Sequence, residues 1–525
     1  MNITISGKIR PLSLCLFGIL MLGVRADAQE KTTGYNYKIP EKIMTPDKVE
    51  TSVGTMNFSD GMPDAATVQK CYDNLDRMRG TEAFLNGIPA TSVEALRLGQ
   101  YEAGAITPNK FILFDQLLDA APLMLTGNCE AVYISGFLDL KKDGPTVVEV
   151  PAGAVPGTVN DAFFRFVVDM GAPGPDRGKG GKYIILPPDY KGNLQWSVGG
   201  KEQVVNGLKY FVAKSTSFSN FGILRGFTIG GDPAPATKMW REGIQVYPLS
   251  QISNPPKMEF IIGSKKFYNT IHANNYEFYE ELNTVIQQEP ASMWDPELLG
   301  LFSSIGIQKC KRFSPAARMK KTLTDAAAIG NATARALFFK PREMSYYIYP
   351  NSHWGNCFTD GDYEFLRDSA RGGRNLDSRT VFYYIATVNT PAMILKIPGV
   401  RSQYAYNAED KDGNYLDDSK NYTLHIPANP PAKNFWSVTA YDPQTRSELQ
   451  TDQAFPSKES SRDKLIKNAD GSFDLNYGPT APAGKEANWT QTVPGKKWFV
   501  LFRLYGPLEP WFNKSWRPGD FVLVK

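Results

Sequence analysis

Apolar and polar positions change their spacing several times along this chain, and each change predicts a different kind of element. After an apolar block over 12–24, residues 29–60 are polar and aperiodic, which predicts an arm or linker. Val68, Tyr72 and Leu75 then recur at helical spacing, and the pattern predicts a helix that opens at Asp64 and ends at Gly80. Thr91 with Glu94 forms a capping box, which predicts a second helix running through Leu98. From Ala131 the texture becomes short apolar runs separated by Gly, Pro, Asn and Asp. These predict strands over 132–138, 147–150, 163–169, 183–186, 208–214, 223–229 and 244–248, at the spacing of an antiparallel sandwich.

Residues 265–340 return to a helical texture. Asp295-Pro296-Glu297 is an N-cap, a proline at N1 and an acidic first turn. Ser314-Pro315 repeats that start, and Met319, Leu323, Ala326, Ala327 and Leu337 follow at helical spacing. Strands are expected again over 345–349, 380–388, 393–397, 422–426, 434–441, 497–505 and 521–524. Their wider spacing and long loops favour a larger sandwich of jelly-roll type. The expected chain is mainly β with a helical subdomain. It divides into a leader (1–28), an arm with helices (29–100), a first sandwich (101–260), the helical part (261–342) and a second sandwich (343–525).

Composition narrows the class. Lys8 and Arg10 precede the apolar block, and Ala26-Asp27-Ala28 is a small-x-small cleavage site. Together they predict a secretory signal peptide and an exported, periplasmic or extracellular protein. The block is too short to span a bilayer, which takes about 18 or more apolar residues, and no later run qualifies. Cleavage would remove Lys8, Arg10, Arg25 and Asp27, so the formal charge of +4 becomes +2. A nearly neutral chain with interspersed signs lacks the basic face of a nucleic-acid binder. Cys71, Cys129, Cys310 and Cys357 remain after cleavage. They form no CxxC pair, and their alternatives are disulfides, which export permits, or buried free thiols.

Two groups of long motifs resemble a paired family. GFLDLKKDGPTVVEVP, GPDRGKGGKYIILPPDYKG and ILRGF resemble domain of unknown function 1254. LHIPANPPAKNFWSVTAYDPQTRS, DGSFDLNYGPTAPAGKEANWTQTVPGKKWF and RLYGPLEPWF resemble domain of unknown function 1214. FSSIGIQKCKRFSP in the helical part also looks like the family. The resemblance implies an immunoglobulin-like sandwich and a jelly-roll-like sandwich joined by a helical bundle. It implies no reaction, cofactor or catalytic residue. Cys310 stands where the GIQKxK turn would be expected to carry glycine.

Candidate chemistry is sparse. Neither a Walker A loop nor a GxSxG elbow occurs. In GPDRGKGGKY, glycine amides with Arg177 and Lys182 form an anion clamp or, alternatively, a turn leading into the next strand. His353 with Asp360 and Asp362 can act as an acid/base group or form a polar loop shaped by its aspartates. Convergence of His353, His272 and His425 on a metal has no short ligand spacing behind it. Asp410, Asp412 and Asn414 hint at calcium, but Tyr415 and Asn421 break the EF-hand pattern, leaving a hairpin turn. Trp489 offers a flat surface for a saccharide or another small molecule, with core packing as its alternative. Arg503 falls in the same alternating row as Phe499, Leu501 and Tyr505. It therefore needs a ligand or a carboxylate such as Asp442 or Glu448. A periplasmic hydrolase or lyase with a cleft between the β domains and a non-catalytic binding or envelope module both fit, and a homo-oligomer is compatible with either.

Overall fold

The computed structural model describes residues 39–359 and 361–524. The leader and Asp360 lie outside the described residues. The chain forms two compact units, the first ending at Cys71 and the second spanning Tyr72–Lys525. In the first, Lys48–Thr51, Gly54–Ser59 and Met62–Pro63 make a small antiparallel sheet.

The second unit carries four sheets. A six-stranded sheet is ordered Glu259–Ile262, Lys110–Leu113, Ala131–Asp139, Ser219–Phe227, Val155–Asp161, Phe166–Met170. A five-stranded sheet is ordered Lys201–Val205, Leu208–Lys214, Gly181–Leu186, Thr146–Val150, Gln245–Pro248. Val132, Ile134 and Leu224 from the first sheet and Val148, Tyr183 and Ile185 from the second share one core. Towards the C-terminus, Ser402–Asn407, Phe499–Pro507, Ala432–Tyr441 and Ser457–Glu459 form one four-stranded sheet. Trp489–Gln491, Phe473–Gly478, Asn421–Ile426 and Phe521–Val524 form another. Val438, Val500 and Phe502 meet Leu424, Leu475 and Phe521 between them. Not every pair is antiparallel as expected: Leu208–Lys214 runs parallel to Gly181–Leu186, and Glu259–Ile262 parallel to Lys110–Leu113.

The two helices expected over 64–98 are one helix, Ala65–Ala103. Gly80 does not end it. A Cβ there would lie 2.7 Å from Ala326 Cβ, so the glycine serves close packing against the helix Ala317–Phe339. Thr91 does not cap: its hydroxyl donates back to Gly87 O at 3.3 Å and Ile88 O at 3.2 Å, while Glu94 pairs with Arg97. Pro89 lies inside the helix, where the missing N–H costs one backbone bond. Asp295 caps Pro296–Ser304 as expected, accepting from Glu297 N at 2.9 Å.

Three expected strands are corrected. Residues 345–349 overlap the 3-10 turn Met344–Tyr346, and residues 393–397 begin in the 3-10 turn Pro391–Met393 and form no strand. The run over 380–388 belongs to the α-helix Leu376–Ile385, whose N-cap Asn375 accepts from Ser378 N. Its β-branched and aromatic residues have strand propensity, but residues 378–385 are all buried, and burial on every side overrides propensity. Val155–Asp161 was not expected as a strand, because Pro156 and Gly157 interrupt it. Gly157 lets Leu224 of the neighbouring strand close in: a Cβ would lie 2.7 Å from Leu224 Cγ. Cys310 has a positive φ of 62°, the conformation that glycine adopts without strain. Among the described residues no helix is long and apolar enough to cross a membrane.

Candidate functional site

The strand Phe499–Pro507 is buried along its whole length, and strict alternation sorts its side chains. Val500, Phe502 and Leu504 enter the C-terminal core. Phe499, Leu501, Arg503 and Tyr505 face the other way. Arg503 is only 3% exposed, yet its guanidinium is well supplied. It donates to Thr126 O at 3.0 Å, Gly127 O at 3.2 Å and Thr439 Oγ1 at 3.2 Å. Burial opposes its charge, but Tyr441 and Glu130 hold its pKa well above the ordinary value. The carboxylates expected to serve it do not: Asp442 pairs with Lys496, and Glu448 accepts no hydrogen bond from it. Tyr505 donates to Glu130 Oε2 at 3.1 Å and accepts from Asn128, and Tyr441 donates to Gly127 O at 2.5 Å. These bonds fasten the 126–130 loop to the C-terminal sheet.

Beside this cluster lies a cavity of about 340 Å³, within the 300–1,000 Å³ of small-molecule sites. Apolar side chains such as Ile223, Phe227, Val388 and Ile397 supply much of the wall. Three guanidinium groups line it, Arg177, Arg225 and Arg401, against one carboxylate, Asp169. A smaller cavity of about 70 Å³ adjoins, sharing Arg225, Tyr404, Val388 and Met393, and Arg503 lines it. Arg225 stacks 5.3 Å above the Tyr133 ring. Arg401 has a buried Nη1 without a partner among the described residues. Burial lowers its pKa, Asp169 opposing the shift and Arg177 adding to it.

Asp169 is 8% exposed. Thr390 Oγ1 donates to its two oxygens at 2.7 and 2.8 Å. Burial pushes its pKa up to about 6, against the opposing pull of Thr390, Thr158 and Arg401. It makes no ion pair with Arg401. Thr390 is held in place by the residue before it. Asn160 Nδ2 donates to Asn389 O at 2.7 Å, and Asn389 N donates to Asn160 Oδ1 at 3.0 Å.

The residues expected from sequence go to different places. Arg177 lines the larger cavity and Arg503 the smaller one. The amides around Arg177 close turns: Arg177 N donates to Gly174 O and Lys179 N to Asp176 O, so the run shapes the entry to Gly181–Leu186. Lys182 sits on Glu149 at 2.5 Å. His353 Nδ1 lies 3.2 Å from Glu409 Oε2, and Asp362 accepts from Glu364 N and Leu366 N to shape a turn. Trp489 donates to Gly478 O at 2.9 Å. None of these four lines the two adjoining cavities. His272 is buried and its pKa falls to about 3 through burial first, with Arg446 adding to the shift. His425 rests on Asp474. Among the described residues no three His, Cys, Asp or Glu side chains gather as metal ligands would. Cys71, Cys129, Cys310 and Cys357 are free thiols. Asp410 accepts from Asp412 N and Asn414 N and closes a turn.

Asp169, Arg225 and Arg401 were missed. The signal that singled out Arg503, a charge inside an apolar run, is also present at Asp169 in FVVDM and Arg225 in SNFGILRGF. Arg401 and Thr390 lie in irregular segments and carry no such signal.

Residues 108–248 match the family model described as Protein of unknown function (DUF1254), and residues 401–509 match Protein of unknown function (DUF1214). No curated protein matches the chain. Among solved structures, a structural-genomics protein of Vibrio parahaemolyticus is 16% identical with a TM-score of 0.50, over 86% of this chain and 100% of that one. An uncharacterised protein of Burkholderia cenocepacia is 11% identical with a TM-score of 0.37, over 88% of this chain and 97% of that one. The first likeness bears on fold alone.

Proposed function

We propose that this chain, which carries both domains of the paired family, binds a small amphipathic anion in the arginine-lined cavity and acts on it by proton transfer through Asp169. The observation that carries the reading is the lining itself: three guanidinium groups face one carboxylate whose pKa is raised towards neutrality, between apolar walls. A carboxylate or comparable anionic head is held by Arg177, Arg225 and Arg401, and its apolar body lies along Ile223, Phe227 and Ile397. Asp169 then takes a proton from the ligand or from an attacking water, with Thr390 fixing its orientation. The reaction class is that of a hydrolase or lyase. The frame is an immunoglobulin-like sandwich joined to a jelly-roll-like one, supported by the two-sheet packing at each end. Export, supported by the leader, makes the site periplasmic or extracellular.

The test uses octanoate, hexanoate and octanol as thermal-shift probes, followed by a panel of ester and hydroxy-acid substrates. The two anions stabilise the protein and the alcohol does not. Arg401→Ala removes the shift, whereas Asp169→Asn keeps it and abolishes turnover. Turnover that survives Asp169→Asn refutes the acid/base role, and anion binding without turnover of any substrate turns the reading to a binding module.

A further inference from the structure

A second cavity, of about 410 Å³, lies on the other side of the extended segment that carries Thr390. Val388 and Thr390 line the first cavity, while Asn389 between them lines the second. This second cavity has a different character. Its walls combine aromatic rings, from Phe163, Phe166, Trp294, Tyr363 and Tyr383, with charged and amide side chains.

Four of its residues each leave one buried polar atom without a partner among the described residues. Arg379 is 8% exposed, on the buried helix Leu376–Ile385. Its guanidinium donates to Asn86 Oδ1, and its Nε is buried and unpartnered. No carboxylate among the described residues forms an ion pair with it. Trp294 Nε1 and Arg165 Nη2 are also buried and unpartnered. Arg165 is otherwise engaged, donating to Asp161 Oδ2 at 2.7 Å and Met293 O at 2.7 Å. On the acceptor side, Asn389 Oδ1 is buried and unpartnered as well. The carboxylates that line this cavity, Asp295, Glu297 and Glu364, are all solvent-exposed, whereas Arg379 is buried.

Buried N–H groups without acceptors are costly, and Arg379, Arg165 and Trp294, which all line this cavity, each carry one. Burial, with Arg374 adding to it, lowers the pKa of Arg379 to about 10, so the group stays cationic at neutral pH. A cation of this kind in an aromatic cavity calls for an anion carried on a flat ring.

We infer that the cavity lined by Arg379, Arg165, Trp294 and Asn389 is a second binding site, for an aryl carboxylate. The carboxylate accepts from Arg379, Arg165 and Trp294. The ring packs among Phe163, Phe166 and Tyr383, and a ring hydroxyl or amine can donate to Asn389.

Calorimetric titration of the full chain with benzoate, 4-hydroxybenzoate and indole-3-acetate tests this, with 4-methylphenol as the uncharged control. At least one of the acids binds, and the phenol does not. Arg379→Gln weakens that acid by about tenfold or more, the size of a lost charge-assisted bond. Leu298→Trp, which fills the cavity from its rim, abolishes binding even if Arg379→Gln fails to fold. Arg401→Ala, in the first cavity, leaves this binding unchanged, while Trp294→Phe weakens it. Absence of binding by all three acids overturns the inference. So does binding that Arg401→Ala abolishes and Leu298→Trp leaves intact, since the acid would then occupy the first cavity.

Discussion

Arg503 and Arg379 are buried to nearly the same degree, yet their surroundings differ. Arg503 has two backbone carbonyls, a threonine hydroxyl and the nearby Glu130. Arg379 has one amide oxygen. The first guanidinium is part of what joins the 126–130 loop to the C-terminal sheet. The second lines a cavity with part of its hydrogen-bonding capacity unused. Burial of a charge does not by itself mark a binding site; burial without partners does, because the missing acceptors must come from elsewhere. Arg401 stands with Arg379: it shares the first cavity with Asp169 without pairing, and its Nη1 is buried without a partner among the described residues.

The comparison breaks most visibly at Arg503. Arg503→Met leaves the Thr126 and Gly127 carbonyls and Glu130 without their cation, and it should cost about 3–5 kcal/mol in urea denaturation. A loss below about 1 kcal/mol would place Arg503 with the ligand-seeking groups instead. Next in size is Asp169. Its folded pKa of about 6 lies above the ordinary 3.8, so the folded state favours its neutral form. Its contribution to stability is therefore fully present below about pH 4 and is lost as pH rises through 6. An amide in its place does not titrate, so Asp169→Asn should gain up to about 3 kcal/mol at pH 7.5 and little at pH 4. Thermal melts across that range measure it. A flat difference would mean that Asp169 is not desolvated.

Smaller effects sharpen the contrast. Arg379→Gln should change stability by less than about 1 kcal/mol in the absence of ligand, because few bonds are lost with the charge. Equilibrium unfolding beside Arg503→Met makes that a direct test. Arg177 is exposed at the cavity mouth, so Arg177→Ala should weaken anion binding about threefold at low salt. Titration at about 0.5 M salt should erase most of that difference.

Much of the architecture was legible in local pattern. The strands Leu208–Lys214 and Phe521–Val524 stand where the apolar runs predict them. So does the alternation that buries Val500, Phe502 and Leu504 in one core and sends Arg503 the other way. At Cys310 it was the family resemblance, not local pattern, that raised the question of backbone conformation, and the residue keeps the positive φ of a glycine. The segment 376–385 was not, because its aromatic and β-branched residues satisfy either period when every face is buried. Gly80 misled for a related reason: a glycine that admits a neighbouring helix looks the same in sequence as one that ends a helix. Of the charged residues that line the two adjoining cavities, Arg177 and Arg503 stood out in the sequence. Asp169 and Arg225 carried the same signal as Arg503, and Arg401 carried none.

The sequence alone determined where many of the strands, turns and caps fall, and that charges enter apolar rows, since each of these is written in spacings of a few residues. Only the tertiary structure decided which of those charges meet. Thr390 reaches Asp169 across 221 residues of chain, and Asn389 reaches Asn160 across 229. Contacts of that range depend on how whole sheets and helices pack, and packing depends on shape and volume rather than on period. Whether a buried charge finds a partner or is left facing a cavity is settled at that level.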